Sequence, residues 1–221
     1  MPRAASADPF RDLAAGVRVI TGQPLGSTAR AQFARYLDLL LEWNRVHRLT
    51  GFSSAADVVH KLFLDSVLFF PALPPRPLRL ADIGTGPGIP GVPLRILDPG
   101  IALTLIESKR KAISFLSALK RDLALQDLRI VHSRAEAAAV ELPDLLGTFD
   151  VVVSRAMGGP TAVLRAARQL LSPGGVLVVS GPPQPPSVAP PVPDGFSVSV
   201  RRVQYPRLSL SRQFLVYTRG T

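Results

Sequence analysis

The chain has 221 residues, 47% of them hydrophobic, which is enough to bury the core of one α/β domain with a modest appendage. Its formal net charge is +10 with a pI near 11.1, and only four of its 26 basic residues are lysines. It contains no cysteine, which excludes disulfides, thiolate metal sites and a cysteine nucleophile.

The high arginine content suits the recognition of phosphates and bases, because the planar guanidinium group can donate two parallel hydrogen bonds. An arginine- and alanine-rich chain also results from genome base composition, so charge alone leaves two explanations open. We favour a nucleic-acid partner. No apolar run approaches the roughly eighteen residues of a membrane span, and the first ten residues contain no apolar core of a signal peptide. We therefore expect a cytoplasmic protein.

The N-terminal part of the chain predicts helices. A short helix is expected over residues 13–20, and apolar residues at three- and four-residue steps predict an amphipathic helix over residues 27–47. Ser54 and Asp57 form a capping box that begins a further helix, which Pro71 ends near residue 70. We predict an N-terminal helical extension over residues 1–76, packed on a second part over residues 77–221.

Strands and helices alternate after a proline-rich linker. Predicted strands cover residues 78–83, 102–107, 128–132, 149–153 and 176–180, and helices cover 90–97, 109–124 and 161–171. Such a βαβ series implies a parallel sheet with right-handed crossovers. Two alternating strands, 196–203 and 213–217, follow a proline-rich loop at 182–193. The sequence thus predicts an α/β fold with a mostly parallel seven-stranded sheet and helices on both faces.

A glycine-rich turn follows the first predicted strand. Residues 80–91 read L-A-D-I-G-T-G-P-G-I-P-G, in which Gly84, Gly86 and Gly88 alternate with other residues. Glycine lacks a Cβ and admits positive φ, so such a turn lets the main chain approach a ligand closely. No G-K-[S/T] follows the turn, which excludes a triphosphate cradle of that type. We therefore predict a cofactor loop here.

Two cofactors compete for this loop. Gly86-x-Gly88-x-x-Gly91, with Glu107 about twenty residues on, fits a dinucleotide fingerprint. D-x-G-x-G-x-G, with its acid inside the strand, is typical of S-adenosylmethionine (SAM) enzymes. The SAM pattern fits the predicted strand end better, because its glycines begin directly after Ile83 whereas the dinucleotide pattern starts later.

Ligands of parallel sheets lie across the carboxyl ends of the strands, so the residues there are candidates for the site. Glu107 is placed to hold both ribose hydroxyls, with a surface acid paired with Lys109 or Arg110 as the alternative. Ala135 and Glu136 are placed to hold an adenine, mainly through backbone groups. Asp82 is a candidate cofactor contact, with a loop-bracing role as the alternative. Arg155 follows the fourth strand.

Several of these motifs together resemble one family. W-N-R-V-H-R-L-T, H-K-L-F-L-D-S-V, D-I-G-T-G-P-G-I-P-G-V-P-L and the two S-R-A motifs after the third and fourth strands are similar to the small-subunit ribosomal RNA methyltransferase G family, also called glucose-inhibited division protein B. The resemblance covers residues 33–177. It implies a Rossmann-like class I SAM-dependent methyltransferase that acts on N7 of a guanosine in the 530 loop of 16S rRNA, in free RNA or in the 30S subunit.

The resemblance also implies cofactor contacts at five positions: Gly84, Ile89, Ala135, Glu136 and Arg155. The sequence departs from the family in two places. The family usually has Asn-Leu-Thr where Arg48-Leu49-Thr50 stands, and usually Lys-Gly after the fifth strand where Ser180-Gly181-Pro182 stands. Both departures concern the substrate side of the site more than the cofactor side.

The residue chemistry agrees with methylation at N7. The chain has neither an N-P-P-Y type motif after the fourth strand, typical of amine methylation, nor the cysteine used on pyrimidine carbons. Guanine N7 carries a lone pair and no proton, so its attack on a sulfonium methyl needs no general base. We expect Arg155 to hold the cofactor and the target base together, with a structural salt bridge as the alternative.

Two basic clusters are candidates for RNA contact. The first comprises Arg45, His47, Arg48, His60 and Lys61, and the second comprises Arg201, Arg202, Arg207 and Arg212. We expect no metal site and no need for more than a monomer. Two alternative functions are a non-catalytic RNA-binding ribosome-assembly factor that retains this fold, and a nicotinamide-dependent reductase.

Overall fold

A single seven-stranded sheet lies at the centre of the molecule, which we describe from a computed structural model over residues 8–75, 78–155, 160–180, 192–208 and 210–221. The strand order is β3-β2-β1-β4-β5-β7-β6. Strands β1 to β5 are parallel, and β7 runs antiparallel to β5 and β6. The predicted mostly parallel sheet is therefore confirmed. The strands are β1 (Leu78–Ile83), β2 (Ile101–Glu107), β3 (Leu128–His132), β4 (Phe149–Ser154), β5 (Leu171–Ser180), β6 (Phe196–Tyr205) and β7 (Leu210–Arg219).

Eight α-helical segments accompany the sheet in the described residues, and α3 and α4 are joined by a π-helical segment, Val59–Leu64. None of the helices in these ranges is long and apolar enough to cross a membrane. The helices are α1 (Pro9–Thr21), α2 (Ser27–His47), α3 (Ala55–Val58), α4 (Asp65–Val67), α5 (Gly91–Leu97), α6 (Arg110–Asp122), α7 (Ala138–Glu141) and α8 (Pro160–Leu170).

Helices cover both faces of the sheet, as predicted. One hydrophobic cluster joins α1, α2, the π segment, α5 and α6 to the sheet, and a second joins α7 and α8 to its other face. Neighbouring residues of β1 divide between the two, with Leu80 in the first cluster and Ala81 in the second. The N-terminal helices thus share a core with α5 and α6. The expected boundary between residues 76 and 77 lies outside the described residues.

An aromatic cluster fixes α2 against the π segment and α6. The ring centroids of Phe33 and Tyr36 lie 5.2 and 4.8 Å from that of Phe63. Phe115 of α6 lies 6.2 Å from Tyr36 and 5.7 Å from Trp43. Each such pair contributes about 0.5–1.5 kcal/mol beyond the area it buries. The N-terminal helices therefore have a fixed position relative to the glycine loop below.

Several elements, such as α1, β6 and β7, extend beyond their predicted bounds, and three further differences are larger. β5 begins at Leu171 rather than at residue 176, with a shifted register where it starts beside β4. The short helix α7 follows β3 and was not predicted. The helix expected over residues 54–70 contains the π segment. Nearly every residue from 58 to 69 is buried, so packing on several sides decides the winding there.

Candidate active site

The loop between β1 and α5 carries its three glycines in positive-φ conformations. The φ angles of Gly84, Gly86 and Gly88 are +66°, +58° and +96°. The Gly84 amide donates to the Ile106 carbonyl of the neighbouring strand at 2.9 Å. A Cβ on Gly86 would meet no atom within 4 Å. The main chain at Gly86 therefore borders open space, which fits a cofactor that lies directly on the backbone.

Asp82, at the end of β1, is fully buried and braces this loop. Its Oδ2 accepts hydrogen bonds from the Thr85 hydroxyl and the Gly91 amide, both at 2.7 Å. Burial raises the pKa of Asp82 to about 7, although these two hydrogen bonds and the charge of Arg155 oppose the rise. This geometry favours the bracing alternative for Asp82. A direct cofactor contact by Asp82 stays a prediction.

Glu107 ties the end of β2 to the same loop. Its Oε2 accepts from the Gly86 amide at 2.8 Å, and its Oε1 accepts from the Ser108 and Lys109 amides at 2.8 and 2.9 Å. A carboxylate has about four lone-pair sites, so these bonds leave room for further donors. Glu107 is thus held in a fixed orientation at the carboxyl end of β2, where the sequence predicted a ribose contact.

Tyr36 of α2 clasps the loop from the N-terminal side. Its buried hydroxyl donates a hydrogen bond to the Pro87 carbonyl. Gly88 is packed beneath it, since a Cβ there would lie 2.8 Å from Val92 and 3.0 Å from the Tyr36 hydroxyl. Burial also raises the pKa of Tyr36 well above its ordinary value, which keeps the hydroxyl protonated as a donor. Gly88 is therefore packed against side chains, whereas Gly86 borders open space; a cofactor contact by Gly88 stays a prediction.

A cavity of about 250 Å³ lies across the carboxyl ends of β1 to β4, and we call it the strand-end cavity. In the lining of this cavity, Glu107 at the end of β2 lies between the glycine loop after β1 and the segment after β3. Parallel strands end at one edge of a sheet, so residues far apart in sequence meet there. The structure brings together four of the predicted cofactor residues in its lining: Gly84, Glu107, Ala135 and Glu136.

A second cavity, of about 350 Å³, lies on the other side of the glycine loop, and we call it the mouth cavity. It shares Gly84, Glu107 and Lys109 with the strand-end cavity. Its remaining lining comes from the loop, from α6, from the N-terminal part of the chain and from the residue after β4: Arg48, Leu49, Thr50, Leu62, Thr85, Gly86, Pro87, Ile89, Lys111, Ala112 and Arg155. The two cavities are therefore neighbours with a shared wall, and we treat them as one candidate site.

Arg155 is held at the mouth cavity by the N-terminal helices. Its Nη2 lies 3.5 Å from Oδ2 of Asp65 and 3.4 Å from the Lys61 carbonyl. Asp65 is buried, and its other oxygen pairs with Arg212 of β7. The salt bridge foreseen as the alternative role of Arg155 is therefore present. It does not preclude a ligand contact, because a guanidinium group has five N–H donors.

The predicted RNA contacts occupy different surroundings. Arg45 and His47 are exposed at the end of α2, and Arg48 reaches the mouth cavity. His60 lies 3.5 Å from Asp12 of α1, and Lys61 pairs with Asp57 at 2.7 Å.

The second basic cluster lies along β6 and the start of β7. Arg201 donates to the Pro71 carbonyl, and Arg202 is exposed. Arg212 is engaged with Asp65, and the Arg207 side chain lies outside the described residues. Among the described side chains of the two clusters, only Arg48 lines either of the cavities beside the loop. Their RNA contacts stay predictions.

Tyr36 and Asp65 are site residues that the sequence analysis missed. Asp65 stands inside the quoted stretch H-K-L-F-L-D-S-V, where a carboxylate among buried apolar residues signals a buried pair. Tyr36 had no comparable signal, because aromatic residues in an apolar stripe are ordinary core. In the described part of the chain, no three or more His, Asp or Glu side chains are grouped to hold a metal ion.

Two solved methyltransferases share this architecture. A SAM-dependent methyltransferase from Aquifex aeolicus superposes with a TM-score of 0.55 at 15% identity, covering 79% of this chain and 97% of that one. A methyltransferase from Pyrococcus furiosus gives a TM-score of 0.53 at 17% identity, covering 86% and 99%. The strand order and the glycine loop after β1 agree with this likeness. The fold is that of a class I SAM-dependent methyltransferase.

Sequence relatives define the family. The model of one protein family, GidB (rRNA small subunit methyltransferase G), matches residues 29–181 of this chain. The ribosomal RNA small subunit methyltransferase G of Xanthomonas oryzae pv. oryzae is 34% identical over 200 residues, 90% of this chain and 91% of that one. The ribosomal RNA small subunit methyltransferase G of Stenotrophomonas maltophilia is 36% identical over 185 residues, which are 83% of this chain and 84% of that one. The chain belongs to the rRNA small subunit methyltransferase G family.

We predict that Gly86→Ala weakens SAM binding by tenfold or more at little further cost to folding. A Cβ at Gly86 would project into the open space beside the loop. The positive φ at this position would lower the stability of an alanine variant by about 1–2 kcal/mol. Gly22→Ala is the matched control, because Gly22 has a φ of +73° and equally open surroundings at the end of α1. Calorimetric SAM titration and urea unfolding of both variants check this. Equal SAM affinity in the two variants would contradict it.

The raised pKa of Asp82 predicts a pH dependence of stability. Between its ordinary value near 3.8 and about 7, the folded protein keeps a proton that the unfolded chain releases. This contribution is fully present below about pH 4 and is lost as the pH rises to about 7. Asp82→Asn, which cannot ionise, is expected to flatten the unfolding free energy across this window. Urea unfolding of both proteins from pH 4 to 8 measures it, and parallel curves would contradict the assignment.

Proposed function

We propose that this protein transfers the methyl group of SAM to N7 of a guanosine in the 530 loop of 16S ribosomal RNA. Membership of the rRNA small subunit methyltransferase G family supports the reaction. The observation that carries the proposal is the glycine loop beside two cavities that share lining residues, with Glu107 fixed against Gly86. One cavity collects the residues expected to hold the nucleoside part of SAM, and the other opens toward the basic end of α2.

The residues at the site fit the cofactor in a definite arrangement. Ala135 and Glu136 would hold the adenine, Glu107 the ribose hydroxyls, and Gly84, Gly86 and Ile89 the methionine part. When bound, SAM supplies a methyl group on a positively charged sulfur. The carboxylate of Glu107 is preorganised for the ribose contact, because three backbone amides already fix its orientation.

N7 methylation asks for positioning rather than proton transfer. Bound SAM would offer its methyl group to the N7 lone pair and would leave as S-adenosylhomocysteine. N7 carries no proton to remove, so the chain would need no general base there. Asp82, the acid whose pKa is raised, is fully buried and bonded to the loop. Arg155 is the group we assign to align the target base with the cofactor.

The partner we propose is 16S rRNA, either free or within the 30S subunit. The net charge of +10 supports a polyanionic partner. Exposed cations at the end of α2, with Arg48 at the mouth cavity, would bring the RNA to the cofactor, and Arg201 and Arg202 would form a more distant contact. We further propose a cytoplasmic monomer.

The function is tested by methyl transfer to 30S subunits isolated from a strain that lacks the enzyme. We expect tritiated methyl from SAM to enter 16S rRNA as N7-methylguanosine in the 530 loop. RNA binding without incorporation would instead favour the non-catalytic assembly factor. A change in nicotinamide fluorescence on binding, with no heat of SAM binding, would favour the reductase.

Arg155→Ala is predicted to lower single-turnover methylation by about 10²-fold, because misplacing a bound reactant by about 1 Å costs roughly that much. Arg155→Lys should recover part of the rate through its charge. Arg165→Ala, which removes an exposed arginine from α8, is the matched control. Rapid-quench methylation together with SAM calorimetry measures both effects. A wild-type rate with unchanged SAM affinity in Arg155→Ala would rule out this role.

A further inference from the structure

Arg48 has a left-handed backbone, which is unusual for a residue with a long side chain. It caps the C-terminus of α2 with φ 48° and ψ 57°, and its amide donates to the Asn44 carbonyl at 3.1 Å. Glycine and asparagine adopt this conformation most readily, whereas other residues incur about 1–2 kcal/mol. Such strain persists where surrounding contacts impose it, and it concentrates at functional sites.

The contacts that impose it come from the side chain of Asn44. Its Oδ1 accepts from the Thr50 amide at 2.8 Å, and its Nδ2 donates to the Phe52 carbonyl at 3.0 Å. These two bonds fix the turn that follows α2 and set Leu49 and Thr50 in the wall of the mouth cavity. The position of Arg48 therefore follows from a rigid turn.

Four cations line the mouth cavity: Arg48, Lys109, Lys111 and Arg155. Lys111 donates to the His47 carbonyl at 2.7 Å, and Arg155 pairs with Asp65. Within the ranges that the structure covers, neither Arg48 nor Lys109 has an acidic partner for its side chain. Glu107 is the one carboxylate in the lining, and backbone amides hold it. The cavity thus carries excess positive charge.

The positive charge of the mouth cavity suits the phosphates of an RNA strand whose target nucleotide enters here. A guanosine that presents N7 to the cofactor carries a phosphodiester on each side of its ribose. The guanidinium fork binds phosphate through paired, charge-assisted hydrogen bonds. The mouth cavity adjoins both the glycine loop and the exposed end of α2, so a strand that reaches the loop passes Arg48.

We infer that the mouth cavity receives a phosphodiester of the RNA strand next to the target guanosine, and that Arg48 is its principal contact. The inference rests on the proposed function and adds the substrate group that this cavity recognises. The cofactor carboxylate is the other anion that such a cavity could bind, and the experiment separates the two.

Arg48→Asn removes the charge while suiting the backbone. Because asparagine accepts the left-handed conformation more readily, a purely structural role predicts a melting temperature equal to or above that of the wild type and no other change. Lys120→Ala is the matched control: it removes an exposed cation from the other end of α6, where Lys120 lines a cavity at the amino ends of the strands.

The two variants and the wild type are compared in binding to unmethylated 30S subunits at fixed Mg²⁺ and increasing KCl. For Arg48→Asn we expect roughly tenfold weaker binding at low salt and a log–log salt slope reduced by about 0.7–1, the effect of one lost phosphate contact. The KM for 30S subunits should rise by a similar factor. SAM affinity without RNA should be unchanged, and Lys120→Ala should match the wild type throughout.

Three outcomes would overturn the inference. Unchanged 30S affinity and slope in Arg48→Asn would remove the phosphate contact. Weaker SAM binding without RNA would assign the cation to the cofactor carboxylate. Equal losses in Lys120→Ala would reduce the effect to overall charge. Should Arg48→Asn melt lower than the wild type, Arg48→Gly gives the same readout, since glycine fits this backbone. If the wild-type protein binds 30S subunits but transfers no methyl group, the proposed function is wrong. The comparison of 30S binding between Arg48→Asn and the wild type would still decide this inference.

Discussion

The candidate site depends on hydrogen bonds that hold a glycine loop from three directions. Asp82 braces it from β1, Glu107 holds Gly86 from β2, and Tyr36 grips the Pro87 carbonyl from α2. Glycine by itself permits many conformations, so a loop of this composition needs outside contacts to keep one shape. Two of these contacts are buried carboxylates, and a third is a buried hydroxyl. The cavities on both sides of the loop exist because these groups keep its backbone in place.

The N-terminal helices are therefore part of the site. The middle of α2 supplies Tyr36 to the glycine loop, and its end supplies Arg48 to the mouth cavity. Asp65 of α4 holds Arg155 on one side and Arg212 on the other, which connects the helices to β4 and β7. A shift of these helices would move the loop and the cations together. The proposed cofactor contacts and the proposed RNA contacts thus share one structural support.

Most of the sheet could be predicted because its strands are apolar runs between clear turns. β1 and β3 have their predicted bounds, and the others differ mainly at their ends. Glu107, Ala135 and Glu136 meet in one cavity because parallel strands end at a common edge. Tyr36 and Asp65 escaped prediction because their roles come from partners far along the chain. Asp65 and Arg212 are 147 residues apart, and no local pattern records such a pair.

The sequence by itself determined the βαβ order, the position of the glycine loop and the family, since these follow from local periodicity and from motifs that occur together. Only the tertiary structure decided what each acid and cation does. Asp82 became a brace because folding buried it among donors of its own loop. Arg48 became a cation of the mouth cavity because Asn44 fixes the turn beneath it. Burial and distance set these roles, and both arise only when remote parts of the chain pack together.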